Sequence, residues 1–360
     1  MSCKFDKARR GVLGAVLCGL SACAVASVPA AEVGEPASRA ALASSQAEKS
    51  VLLGAARTGS DRLVSVGERG LVLLSDDSGA HWRQAVVPVS VTLTAVRFAG
   101  QQGVAVGHAG VVLTSGDGGE TWVQRLDGRR AAEVAMRDAQ ASKDEQLIYS
   151  AQLLVDEGPD KPFLDATIGA DGQLLVVGAY GMVFASPDMG QSWNSWSGRL
   201  DNPTGLHLYA VRQRGQALLV AGERGLVLSS VDGGASFKRL EVPYQGSLFT
   251  AELPGDGDMV VAGLKGSLLR SRDGGASWQR LDAADASSFT ASTLGRDGSL
   301  YLVTQAGHVL GLQRDGLVQL SSQAMPSLNG ILPVNPQSVV LLSNLGLTTL
   351  QLNAGTEAQP

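Results

Sequence analysis

From about residue 48 to residue 352, short apolar runs alternate with turns rich in Gly, Asp and Ser. Runs of this length and composition read as strands. Gly67-Glu68-Arg69-Gly70 leads into Leu71-Val72-Leu73-Leu74, then Ser75-Asp76-Asp77-Ser78-Gly79-Ala80-His81-Trp82. The phrase recurs over Gly107–Trp122, Gly178–Trp193, Gly222–Phe237 and Gly263–Trp278. Two worn copies follow, Thr304-Gln305-Ala306-Gly307 with Val309–Leu312 and Ser343-Asn344-Leu345-Gly346 with Leu347–Leu350. In the second unit Leu93–Phe98, Gly103–Val106, Val111–Thr114 and Thr121–Arg125 read as four successive strands. Near-continuous apolar runs such as Leu174-Leu175-Val176-Val177 point to strands buried on both faces.

The units begin at 67, 107, 178, 222, 263, 304 and 343, so the spacings are 40, 71, 44, 41, 41 and 39. A period near 40 with one long exception predicts one four-stranded sheet per repeat. The reading is an all-β, seven-bladed β-propeller over 48–352. The composition argues against a helical solenoid, because Gly and β-branched residues are poor in helix interiors. The long spacing hides an insertion at about 128–160. From Arg129 to Leu154 its apolar residues follow helical spacing, which predicts a helical hairpin. The last unit lacks an outer strand, so a segment within Glu35–Ala47 is expected to supply it and close the ring. The competing reading of 31–47 is an Ala/Ser linker, and 353–360 reads as a polar tail.

Residues 1–30 read as an export signal. Lys4, Lys7, Arg9 and Arg10 precede an uncharged run, Gly11 to Ala26, too short for a permanent span of about 20 residues. Cleavage is expected after Ala26, Ala30 or Ala31. Leu20-Ser21-Ala22-Cys23 resembles a lipobox, which makes Cys23 an alternative lipidation site, and Arg9-Arg10 permits twin-arginine export. All three cysteines (Cys3, Cys18, Cys23) lie in this leader, so the exported domain has no disulfide. Removing the leader takes Lys+Arg from 29 to 25 and Asp+Glu from 34 to 33, and the net charge from −5 to −8. That balance argues against a nucleic-acid partner. The expected location is the periplasm, as a monomer.

The acidic turns resemble Asp-box (BNR) repeats: Asp77, Asp117, Asp188, Asp232 and Asp273, followed by Trp82, Trp122, Trp193, Phe237 and Trp278. The carboxylate is expected to hold its own turn and the aromatic ring to pack between sheets. One or two carboxylates per turn are too few for calcium. The other turns place Arg69, His108, Tyr180, Arg224, Lys265, His308 and Asn344 as a candidate ring around the channel mouth, partly cationic through Arg69, Arg224 and Lys265. Hairpin turns are polar wherever they meet water, which is the plain reading. The functional reading is a surface for an acidic or carboxylate-bearing peptide. No HxxxH, CxxC, GxSxG or P-loop occurs, so no metal, cofactor or catalytic constellation is expected.

With the repeats, the turns and the segment Asp160-Lys161-Pro162-Phe163-Leu164-Asp165, the chain resembles the photosystem II stability/assembly factor family of seven-bladed propellers. The resemblance covers roughly 48–352 and implies a binding protein, not an enzyme. It implies an assembly or accessory role for a membrane protein, for which an RND-type exporter is one candidate. Photosynthetic members carry an arginine-rich patch, and only Arg69, Arg224 and Lys265 match it here. The alternative is a sialidase-like glycoside hydrolase, which needs a Tyr nucleophile with Arg and carboxylate partners. Of Tyr149, Tyr180, Tyr209, Tyr244 and Tyr301, Tyr180 alone falls on the predicted ring.

Overall fold

Glycine and aspartate set where each strand ends, and the computed structural model follows those boundaries. It describes residues 34–281, 285–313 and 316–352. The export signal, Cys23 and the tail at 353–360 lie outside the described residues. The described strands form seven antiparallel sheets, six of four strands and the last of three, each in simple up-and-down order. They are numbered here as sheets 1–7 in chain order. Sheet 2 comprises Leu93–Ala99, Gln102–Gly107, Val112–Ser115 and Val123–Leu126, each within two residues of the runs read from the sequence.

The first strands are Leu52–Arg57, Leu93–Ala99, Phe163–Ile168, Leu208–Arg214, Leu248–Gly255, Phe289–Leu294 and Leu328–Asn335. Each contacts the next, and that of sheet 7 contacts that of sheet 1. Second strands such as Leu63–Gly67 and Leu174–Gly178 are buried along their whole length, because neighbouring sheets cover both faces. The core is accordingly a series of clusters between adjacent sheets. One joins Leu175 and Val177 of sheet 3 to Leu208, Val220 and Leu228 of sheet 4. This arrangement is a β-propeller fold.

The insertion is a helical hairpin, α1 (Gly128–Ser142) and α2 (Glu145–Glu157). Asp127 caps α1 by accepting from the Arg130 N–H, and Asp144 caps α2 by accepting from the Gln146 and Leu147 N–H groups. The apolar stripe Ala131, Val134, Ala135 and Ala139 packs with Trp193 of sheet 3. On the same helix, Asp138 accepts from the Ser195 N–H at 2.7 Å and Arg137 donates to the Trp193 carbonyl at 2.8 Å. α1 thereby satisfies backbone groups of the outer strand of sheet 3, where a bare edge would invite pairing. Among the described residues, no helix is long and apolar enough to cross a membrane.

The expected closing strand is absent from Glu35–Ala47. Those residues hold a short 3-10 helix at Pro36–Ser38 and irregular backbone, and sheet 7 keeps three strands among the described residues. They run instead beside sheet 1, where Ala41 N–H donates to the Val87 carbonyl at 3.0 Å and Ser90 N–H donates to the Pro36 carbonyl at 2.8 Å. The seam between sheets 7 and 1 is joined at its inner strands by side chains. Asn329 donates to the Leu52 carbonyl at 3.0 Å, and Arg57 donates to the carbonyls of Pro333 and Val334. Leu63 of sheet 1 packs with Leu332 and Val340 of sheet 7.

The acidic turns are closed rings of hydrogen bonds. Asp188 accepts from Ser186 Oγ at 2.8 Å and from Ser192 N–H at 2.8 Å, with Ser192 Oγ on its other oxygen. Trp122 and Trp193 are buried and donate to the Gly119 and Gly190 carbonyls, whereas the Trp278 indole N–H is buried without an acceptor. The residue four after each Asp (His81, Thr121, Ser192, Ser236, Ser277) completes the ring, a position the sequence pattern left open. Hydrogen bonds from His81 and Ser75 lower Asp77 to about 2, and those from Ser277 and Ser271 lower Asp273 to about 2, against an ordinary 3.8. The folded value lies below the unfolded one. The resulting stability is therefore fully present above pH ~4 and lost as pH falls towards ~2. A melting temperature flat from pH 7 to 5 and falling between pH 4 and 2 is expected. Asp77→Asn with Asp273→Asn should shallow that fall; an unchanged slope would exclude these turns as its source.

Candidate functional site

Each sheet's second and third strands are joined by a four-residue turn at the end where the first strand begins. In sheets 1 to 5 the third turn residue takes the left-handed backbone: Arg69, Ala109, Tyr180, Arg224 and Lys265, with φ of 54–55°. The preceding residue donates its N–H to the backbone just before the first strand, as from Glu68 to the Val51 carbonyl and from His108 to the Thr92 carbonyl. The turn is therefore fastened beneath, and its third residue projects outwards.

The last turn residue is glycine for a steric reason. A Cβ on Gly70 would lie 2.1 Å from the Val89 carbonyl oxygen, on the connection entering sheet 2. A Cβ on Gly346 would lie 2.0 Å from the Glu48 carbonyl oxygen, on the segment entering sheet 1. Each turn thus sits on the connection into the following sheet, and the contact recurs between sheets 7 and 1. All seven turns consequently occupy one face.

The predicted ring residues sit on this face, but not in one register. Arg69, Tyr180, Arg224 and Lys265 are the exposed left-handed tips. His108 stands one position earlier, with Ala109 at the tip of sheet 2. His308 follows its turn and pairs with Asp285 at 2.8 Å, and Asn344 is exposed beside Leu345. The physical cause is the two interior positions of the turn, which have different conformations and point differently. The acidic partners are turned inwards: Glu68 accepts from the Val51 N–H at 3.0 Å and Glu223 from the His207 N–H at 3.3 Å. The Arg69 side chain is left 86% exposed, 3.9 Å from Glu68.

First strands of all seven sheets line one central cavity of about 600 Å³. Tyr209 and Phe249, each second in its strand, stand towards the turn face. Deeper lies a belt of charge that the sequence reading missed. Asp165 accepts from Arg97 Nη2 at 2.7 Å and from Arg212 Nη1, while Arg212 Nε donates to Glu252 at 3.1 Å. Ser292 donates to Glu252 at 2.9 Å, which extends the belt across sheets 2 to 6. Burial alone would depress both guanidiniums. It prevails over Asp165 at Arg97, whose pKa falls, whereas Glu252 and Asp165 outweigh it at Arg212, whose pKa rises. In the segment Asp160–Asp165, Lys161 pairs with Asp160 at 2.8 Å and Glu157 at 3.1 Å, Phe163 is fully buried, and Asp165 is the hub of the belt.

Among the described residues, no group of three or more His, Cys, Asp or Glu could hold a metal. Tyr180 has the His207 ring at 5.0 Å and Lys161 Nζ at 5.8 Å as neighbours. The other tyrosines are dispersed: Tyr149 on α2, Tyr209 in the channel, Tyr244 bonded to the Leu264 carbonyl, and Tyr301 buried.

The fold places the chain among β-propellers. Of solved structures, it is similar to YCF48 bound to a D1 peptide, at 16% identity and a TM-score of 0.61 over 85% of this chain and 94% of that one. YCF48 from Cyanidioschyzon merolae is similar at 15% identity and 0.61, over 84% and 96%. A GH74 enzyme of Niastella koreensis is similar at 17% and 0.58, over 84% of this chain and 43% of its own. At such identities the likeness shows the fold alone. No family model and no curated protein matches the sequence.

Proposed function

We propose that the chain is a non-catalytic, seven-bladed Asp-box propeller that binds a protein segment on its turn face. It acts as an assembly or accessory factor for a membrane protein in the cell envelope, and an RND-type exporter is the partner to test first. The observation that carries this reading is the turn ring itself. Arg69, Arg224 and Lys265 project from rigid turns, with the nearby glutamates occupied by backbone. Pre-positioned cations of this kind favour a carboxylate-bearing peptide at little ordering cost. The YCF48 structure with a D1 peptide gives a precedent for peptide binding on this fold. In this reading residues 1–30 direct export to the periplasm, with Cys23 as the lipid anchor if it is modified, and the protein is monomeric. Photocrosslinkers at Tyr180 and Arg224 in intact cells should capture one envelope membrane protein. The same groups at Gln101 and Asp256, exposed at the opposite ends of their sheets, should not. Equal capture from both faces would overturn the assignment.

A further inference from the structure

The turn face is not uniform around the circle. Across sheets 3, 4 and 5 run four aromatic rings, each edge-on to the next. Tyr180 and His207 are 5.0 Å apart between centroids, His207 and Tyr209 are 6.2 Å apart, and Tyr209 and Phe249 are 5.1 Å apart. The run begins at an exposed turn tip, where Tyr180 is 58% exposed, and ends in the channel lining with Tyr209 and Phe249. The turns beside it carry Arg224 and Lys265, both exposed and without an ion pair among the described residues. Leu264, partly exposed, adds apolar surface next to Lys265.

The remaining arc lacks this combination. Its turns present Ala109, Ala306 and Leu345, with Arg69 as the lone tip cation. Its channel-mouth side chains are already committed to neighbouring strands. Thr94 donates to the Phe163 carbonyl at 2.8 Å, Thr290 to the Leu328 carbonyl at 2.7 Å, and Asn329 to the Leu52 carbonyl at 3.0 Å.

We infer that the sector formed by sheets 3 to 5 takes an extended peptide segment that carries an aromatic or large aliphatic side chain beside carboxylates. The apolar side chain enters the channel mouth against Tyr209 and Phe249. The carboxylates meet Arg224 and Lys265. Rings already packed edge to face lose little freedom on binding, and interface energy concentrates at such apolar centres rimmed by charge. Glu223 does not oppose an acidic ligand strongly, because its carboxylate faces the His207 N–H. The inference rests on the turn-face reading and adds the chemistry of the ligand and the arc that holds it.

The test uses the purified chain and three fluorescein-labelled dodecapeptides, read by anisotropy. One alternates Asp and Glu with two Phe. The second replaces Phe by Ser, and the third replaces the acids by Lys. The acidic Phe peptide is expected to bind at least roughly tenfold tighter than either control. Tyr180→Ala, at an exposed turn tip, should weaken it roughly tenfold or more while the melting temperature stays close to that of the unmodified chain. Leu345→Ala, on the opposite arc and also exposed, should leave it unchanged. Equal binding of the Phe and Ser peptides would sink the aromatic sector while leaving an acidic-peptide face intact. Equal loss in the Tyr180 and Leu345 variants would sink the placement. No binding by any peptide would overturn the inference and weigh against the turn-face reading, which the crosslinking above decides independently.

Discussion

Asp165→Ala is expected to lower the stability of the fold by about 3–5 kcal/mol, the usual consequence of removing one member of a buried ion network. Asp165 is 3% exposed and holds four donors: Arg97, Arg212 and the backbone N–H groups of Ala166 and Val211. Alanine satisfies none of them, and it leaves two guanidiniums facing Glu252 alone. Asp165→Asn keeps part of the hydrogen bonding and should cost less. Replacing Arg97, Asp165, Arg212 and Glu252 together by apolar residues should recover much of the loss, because the charges then need no solvation. Urea unfolding at neutral pH reads all three variants as shifts of the midpoint at constant slope. A loss under about 1 kcal/mol for Asp165→Ala would mean that water solvates the belt and that it contributes little.

The same belt shows where the sequence was hard to read. Its members lie 40 to 68 residues apart, so no local pattern joins them. A lone Arg97 inside Leu93-Thr94-Ala95-Val96-Arg97-Phe98 reads as a strand end. Aligning first strands on the residue opposite the turn glycine would have exposed the signal. Arg97, Arg212 and Glu252 each fall four positions after the Leu that pairs with Gly107, Gly222 and Gly263. The strands and turns were legible because Gly and Asp mark their ends chemically. The helical insertion was legible through its 3.6-residue period. The closing strand was misread because composition shows a missing partner but not whether the chain supplies one. Contacts such as Asn329 to Leu52, separated by 277 residues, are set by the fold and not by local sequence. His108 was placed in the ring for a related reason: the phrase fixes the turn, and only backbone angles tell its outward position from its fastened one.

The turn ring is the centre of the functional account, and charge reversal is its largest expected effect there. Arg69→Glu, Arg224→Glu and Lys265→Glu together change the net charge from −5 to −11 by replacing three cations with anions. All three positions are exposed, so the melting temperature should move little. Like charges facing an acidic segment repel as well as fail to attract, so capture should fall by at least roughly a hundredfold. Lys238→Glu, Arg239→Glu and Arg280→Glu on outer strands apply the same change of charge away from the face and serve as the control. The decisive measurement is quantitative capture of whichever protein the turn-face crosslinkers identify, by the two triple variants side by side. The ring variant should lose the partner while the outer-strand variant keeps it. Undiminished capture by a folded ring variant would contradict it.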